Sequence, residues 1–127
     1  MKRKNASPEL ALHKAVACFL NTAIKPPQWW TTIPAGGGGA ARGAKLKAMG
    51  YKAGTPDILL IDRGRALWIE LKEKGGDWSD SQKVTFPNLT RAGTPVFVCR
   101  SVQEVEWWLR EIEYPLHATV PPKRVAA

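Results

Sequence analysis

Cysteine is scarce in this chain. Cys18 and Cys99 are the only two, they lie far apart, and neither has a partner at metal-ligand spacing. This argues against a disulfide framework and a cysteine-based zinc site, and two reduced structural thiols are expected. Long apolar runs are missing as well: no stretch approaches the roughly 18 uninterrupted apolar residues of a membrane helix. Met1-Lys2-Arg3-Lys4 reads like the basic start of a signal peptide, but Glu9, His13 and Lys14 interrupt the apolar region that would have to follow. The expectation is a cytoplasmic protein with no membrane partner. Negative charge is also nearly absent from the first half, where residues 1–56 carry nine Lys/Arg and a single acid, Glu9.

What is present is enough for one domain. The 127 residues suffice for one core and not for two. A hydrophobic share of 44% against 24% charged argues against disorder as the main state. Residues 57–80 carry six acids against four bases, whereas the whole chain has a net charge of +8. An acidic island therefore sits inside a basic chain. The basic surface suits a polyanionic partner, because neutralised phosphates release condensed counterions. A generic solubility charge would explain the total but leaves the island without a reason.

Local signals order the elements. Ser7-Pro8 reads as N-cap and first helical residue, followed by Leu12, Val16, Phe19 or Leu20, and Ile24 at helical spacing up to Pro26-Pro27. Trp29–Ile33 is a candidate short strand, Ala35–Gly43 a glycine-rich loop, and Ala44–Met49 a short basic helix closed by Gly50. Ile58–Ile61, apolar at every position, reads as a strand buried on both faces. After the Arg63-Gly64 turn, alternation over residues 65–72 sends Leu67, Ile69 and Leu71 one way and Trp68, Glu70 and Lys72 the other. Ser79-Asp80-Ser81-Gln82 and Ser101-Val102-Gln103-Glu104 are capping boxes that open two helices, the first expected to be kinked or shortened by Pro87. Val96–Cys99 lies between them as a third buried strand. The order implies an α/β domain with a mixed central sheet over residues 1–114, and a Pro-rich basic tail over 115–127.

Asp57 heads the first central strand, and Glu70 and Lys72 share one face of the next. Two carboxylates converging from adjacent strands repel each other unless a cation lies between them. Mg²⁺ or Mn²⁺ is therefore expected, with the Leu71 carbonyl as a third ligand and waters completing the shell. Lys72 is placed to orient an attacking water or to stabilise developing negative charge. An Asp followed at a distance by Glu-x-Lys is common surface decoration. Here both acids adjoin apolar strands, where an uncompensated charge costs several kcal/mol, on the order of a lost ion-pair partner.

Gly54-Thr55-Pro56-Asp57-Ile58-Leu59-Leu60, Ile69-Glu70-Leu71-Lys72, Ser79-Asp80-Ser81-Gln82 and Gly93, with the preceding Lys45–Gly54 segment, resemble a VRR-NUC domain of the PD-(D/E)XK nuclease superfamily. The resemblance spans about residues 7–105. It implies a restriction-endonuclease-like αβββαβ core flanked by helices and Mg²⁺/Mn²⁺-dependent cleavage of DNA. Asp57 and Glu70 would be metal ligands, Lys72 the catalytic lysine, and Gln82 a helical glutamine facing the active site. The family also has a glutamate on its first helix, for which Glu9 is the candidate; an acid in a first helical turn is equally explained by the helix dipole. Gln82 is likewise explained by its capping box alone. Stand-alone domains of this family are often phage-encoded, dimeric and similar to Holliday junction resolvases, which implies branched DNA as substrate and a homodimer as the active form.

Arg42, Lys45, Lys47 and Lys74 are the candidate DNA-contacting cations. Of six tryptophans, Trp68 shares the face of Glu70 and Lys72, and one member of each pair, Trp29-Trp30 and Trp107-Trp108, should point away from the core to stack on bases or to build an interface. Two other readings compete: a non-catalytic DNA-binding module on the same fold, and an RNA-binding protein. The second explains the charge but not the carboxylates.

Overall fold

The computed structural model describes residues 7–34 and 39–121, so Met1–Lys4, the first part of the glycine-rich loop, and Lys123 and Arg124 lie outside it. The order is α1 (Pro8–Ala23), β1 (Trp29–Thr32), α2 (Gly39–Ala48), β2 (Ile58–Asp62), β3 (Arg65–Leu71), α3 (Asp80–Arg91), β4 (Val96–Cys99) and α4 (Val102–Glu111). This is the expected mixed α/β arrangement, with a four-stranded sheet ordered β1-β2-β3-β4. The first three strands are antiparallel neighbours, and β4 joins β3 in parallel through the α3 crossover.

One face of the sheet carries the main core. Ile58 and Leu60 from β2, with Leu67, Ile69 and Leu71 from β3, meet Val16, Phe19 and Leu20 of α1 and Val105 and Leu109 of α4. Ser7 caps α1, its side chain accepting the Leu10 N–H at 3.1 Å. The other face is covered less completely. Ile58 and Leu60 are fully buried, whereas Leu59 and Ile61 are only half-buried, so β2 is not the two-sided buried strand that its sequence suggests. Val96–Val98 of β4, the strand at the sheet's edge, are half-buried as well. Helix α2 lines a groove with Trp68 on this side and buries none of its own residues.

Four local outcomes differ from expectation. Gly39–Gly43, assigned to a loop, form the start of α2. Pro87 does not shorten α3, which continues to Arg91; the proline is exposed, so water can reach the Lys83 carbonyl that loses its intrahelical donor. The second capping box is incomplete: Ser101 accepts the Glu104 N–H, but the Glu104 carboxylate takes the N–H of Arg100, one residue before the cap. Residues 115–121, assigned to a tail, lie along the core, with Leu116, Ala118 and Val120 packed against it and the His117 N–H donating to the Ala23 carbonyl at 2.7 Å. Cys99 is buried, which pushes its thiol up to about 12, and Cys18 is exposed and unpaired. Among the described residues no helix is long and apolar enough to cross a membrane.

Candidate metal centre

The β2–β3 register builds the centre. Ile58 pairs with Ile69, so the next positions outward, Asp57 and Glu70, face each other at the same end of the antiparallel pair. The Leu71 N–H donates to Asp57 Oδ2 at 2.8 Å, fixing that carboxylate against the partner strand. The same contact sets the Leu71 backbone beside the acids. Thr32 is brought in from β1 by its pairing with Ile58, and the Ile33 N–H donates to the Asp57 carbonyl at 2.8 Å.

Glu70 is only 3% exposed. Its Oε2 accepts from Gln82 Nε2 at 2.7 Å and lies 3.4 Å from Lys72 Nζ. Its Oε1 is buried without a hydrogen-bond partner among the described residues. A buried ionised oxygen in that position needs a cation or a proton. Burial first, and the Asp57 carboxylate second, push the Glu70 carboxyl up to about 7, with the Lys72 ammonium and the Gln82 amide opposing them.

Gln82 holds both roles that its sequence position offers. Its Oε1 accepts the Ser79 N–H at 3.0 Å, closing the first capping box, while its Nε2 reaches Glu70. Gly54 makes this geometry possible. It has φ +82°, and a Cβ there would lie 2.6 Å from the Ser81 carbonyl group and 2.8 Å from the Gln82 nitrogen. The glycine before Thr55-Pro56-Asp57 thus lets the start of α3 come close to the loop that carries Asp57.

Glu9, in the first turn of α1, completes a cluster. One ligand oxygen from each of Glu9, Asp57 and Glu70 lies within 4.8 Å of the others. Three carboxylates at that separation suit a hard divalent cation, and the unpartnered Glu70 oxygen is the donor such an ion would take. The cleft around them, about 540 Å³, also contains Lys72, Gln82, Thr55 and Tyr51. It contains one residue that motif reasoning passes over, His13, whose Nε2 lies 3.0 Å from Thr32 Oγ1. Its spacing of four from Glu9 puts both on one helical face, and that spacing is the signal by which it could have been found.

The candidate DNA-contacting cations are not gathered here. Arg42, Lys45 and Lys47 are exposed on α2, and Lys74 is exposed after β3. Lys47 lines a separate, neighbouring groove. The acid Asp62, part of the acidic island, is structural: it accepts from Gln28 at 3.0 Å and from Arg65 at 2.9 Å.

Comparison with known proteins bears on the family and the fold. A family model described as the VRR-NUC domain matches residues 36–103, slightly more than half of the chain. A solved structure titled "VRR_NUC domain protein" is 22% identical, with a TM-score of 0.67 over 85% of this chain and 89% of its own. Another, titled "VRR_NUC domain", is 20% identical, with a TM-score of 0.57 over 86% of this chain and all of its own. No curated protein matches the chain.

Proposed function

Because this chain belongs to the VRR-NUC domain family, and so carries a nuclease fold, we propose that it is a Mg²⁺- or Mn²⁺-dependent endonuclease that hydrolyses phosphodiester bonds in DNA. The observation that carries this reading is the convergence of Glu9, Asp57 and Glu70 within 4.8 Å, with one buried Glu70 oxygen left without a partner. A divalent ion bound by these carboxylates and the Leu71 carbonyl would supply a Lewis acid for the phosphate and a lowered pKa for water.

The chain's own residues supply the rest. Gln82 and Lys72 occupy Glu70 Oε2, which leaves Oε1 as the oxygen without a partner to offer a cation. The Leu71 N–H holds Asp57 by Oδ2 and leaves its other oxygen free to bind. Lys72 lines the cleft as a cation on a short tether from β3, placed to orient the attacking water and to offset charge on the non-bridging phosphate oxygens. In hydrolysis the water oxygen forms the new bond to phosphorus as the opposite P–O bond breaks, and the departing oxygen takes up a proton.

Branched DNA is the substrate and a homodimer the working form in this proposal, two clefts serving two strands. The exposed Trp29 and Trp107 offer apolar surface for such an interface. The test is a panel of duplex, flap, splayed-arm and four-way junction DNA incubated with Mg²⁺, Mn²⁺ or a chelator. Metal-dependent cutting of branched forms supports the proposal. Metal-independent junction binding without cutting would favour the non-catalytic module instead.

A further inference from the structure

Beside the acidic cleft lies a second, larger groove of about 990 Å³, walled by α2, the following loop, β3 and α3. Tyr51 and Thr55 line both, so the two spaces adjoin. The groove combines the half-buried rings of Tyr51 and Trp68 with the side chains of Leu46 and Val84, and Val84 is 64% exposed. The Trp68 indole is held in place, its Nε1 donating to Thr94 Oγ1 at 3.2 Å. Among the described residues, Lys47 and Lys52 are its charged lining residues, and no acid lines it.

Helix α2 adds an independent observation. It runs for ten residues and buries none of them, while carrying Arg42, Lys45 and Lys47 with no acid. A helix that burial does not hold, with cations beside an apolar groove, fits a polyanion that also presents flat apolar faces. A second copy of this basic chain would bring like charge onto like charge; a nucleic-acid strand would not.

We infer that this groove binds the unpaired nucleotides of a DNA strand next to the phosphate held in the acidic cleft, with bases against Trp68 and Tyr51 and phosphates on Lys47 and Lys52. The inference rests on the nuclease reading for the identity of the neighbouring phosphate. It would give the protein an added hold on unpaired nucleotides beside the cut, as in a flap or splayed arm, through stacking that tolerates any base.

The test is binding without metal, so that it stands apart from cleavage. DNA with a 5-bromodeoxyuridine-substituted single-stranded overhang is irradiated with the protein in chelator, and the tryptic peptides are analysed by mass spectrometry. Crosslinks are expected on Ala66–Lys72, which contains Trp68, or on Ala48–Lys52, which contains Tyr51. In parallel, Val84→Glu, which sets a carboxylate in the groove where the strand would lie, should weaken overhang binding about tenfold, the scale of one displaced stacked base, and blunt duplex binding less than about twofold. Crosslinks confined to other peptides, or equal losses on the two DNAs, would overturn the inference. A protein that crosslinks as expected but cuts nothing would retain the groove and lose the nuclease reading.

Discussion

Gln82 and Glu70 are joined by a 2.7 Å hydrogen bond from Nε2 to Oε2, and the same glutamine amide accepts the Ser79 N–H at 3.0 Å through Oε1. One side chain therefore ties the start of α3 to the buried carboxylate of β3. Helix capping and carboxylate positioning are one structure.

Two substitutions separate these roles. Gln82→Leu removes both bonds and should lower stability by about 1 kcal/mol, the scale of a lost cap interaction. Gln82→Glu keeps an acceptor for Ser79 but sets a second carboxylate against Glu70. In chelator it should also be destabilised, and Mn²⁺ should raise its melting midpoint by more than it raises that of the wild type. Equal metal-induced shifts in all three proteins would contradict this.

The protonation of Glu70 sets a pH dependence for the metal-free protein. Its folded carboxyl is pushed from 4.5 up to about 7, by burial and then by Asp57. Between these values the folded chain holds a proton that the unfolded chain has released. Stability must therefore fall as pH rises through that window and level off above it. Denaturant midpoints in chelator should decline from about pH 4.5 to 7 in the wild type and more shallowly in Glu70→Gln. Parallel profiles for the two proteins would show that Glu70 is not the group responsible.

Gly54 should resist substitution more than another glycine of similar conformation. Gly54→Ala meets the Ser81 backbone at 2.6 Å, whereas Gly93, at φ +96°, has nothing within 4 Å of an added Cβ. Both substitutions strain φ, so the difference isolates the close approach. Gly54→Ala should cost about 1–3 kcal/mol more in a denaturation series and should also reduce cleavage, because it moves Gln82 and Asp57 apart.

Lys72→Met should lower the single-turnover cleavage rate about 10²- to 10⁴-fold while the protein stays folded, as expected for a group acting on transition-state charge. Lys72→Arg should recover part of that loss. A Lys72→Met enzyme within threefold of the wild type, on the order of ordinary surface substitutions, would remove the lysine from the chemistry.

Much of this centre was legible in the sequence because it depends on short-range rules. Alternation along residues 65–72 set Glu70 and Lys72 on one face, and the Ser79–Gln82 spacing marked a cap that the structure contains. What was not legible depends on how distant elements meet. The approach of Glu9 to Asp57 and Glu70 follows from where α1 crosses the sheet end, which no local spacing encodes. The contact of His13 with Thr32 is not encoded locally either, because the two residues lie on different elements. The glycine-rich stretch misled in the opposite direction: glycine disfavours a helix, yet Gly39–Gly43 are helical at the start of α2. Residues 115–121 looked like a tail because Pro115, Pro121 and Pro122 with Lys123 and Arg124 outweighed the alternation of Leu116, Ala118 and Val120, which all pack against the core.

The most direct test of the central claim is single-turnover cleavage of a four-way junction by the wild type and Asp57→Asn, each with Mn²⁺ or with chelator, at about pH 8, above the titration of Glu70. Metal-dependent cutting by the wild type is expected, with a loss of at least about a hundredfold in Asp57→Asn, the several kcal/mol at stake in a lost metal ligand. Cutting by Asp57→Asn at the wild-type rate, or none by the wild type in metal, would contradict that claim.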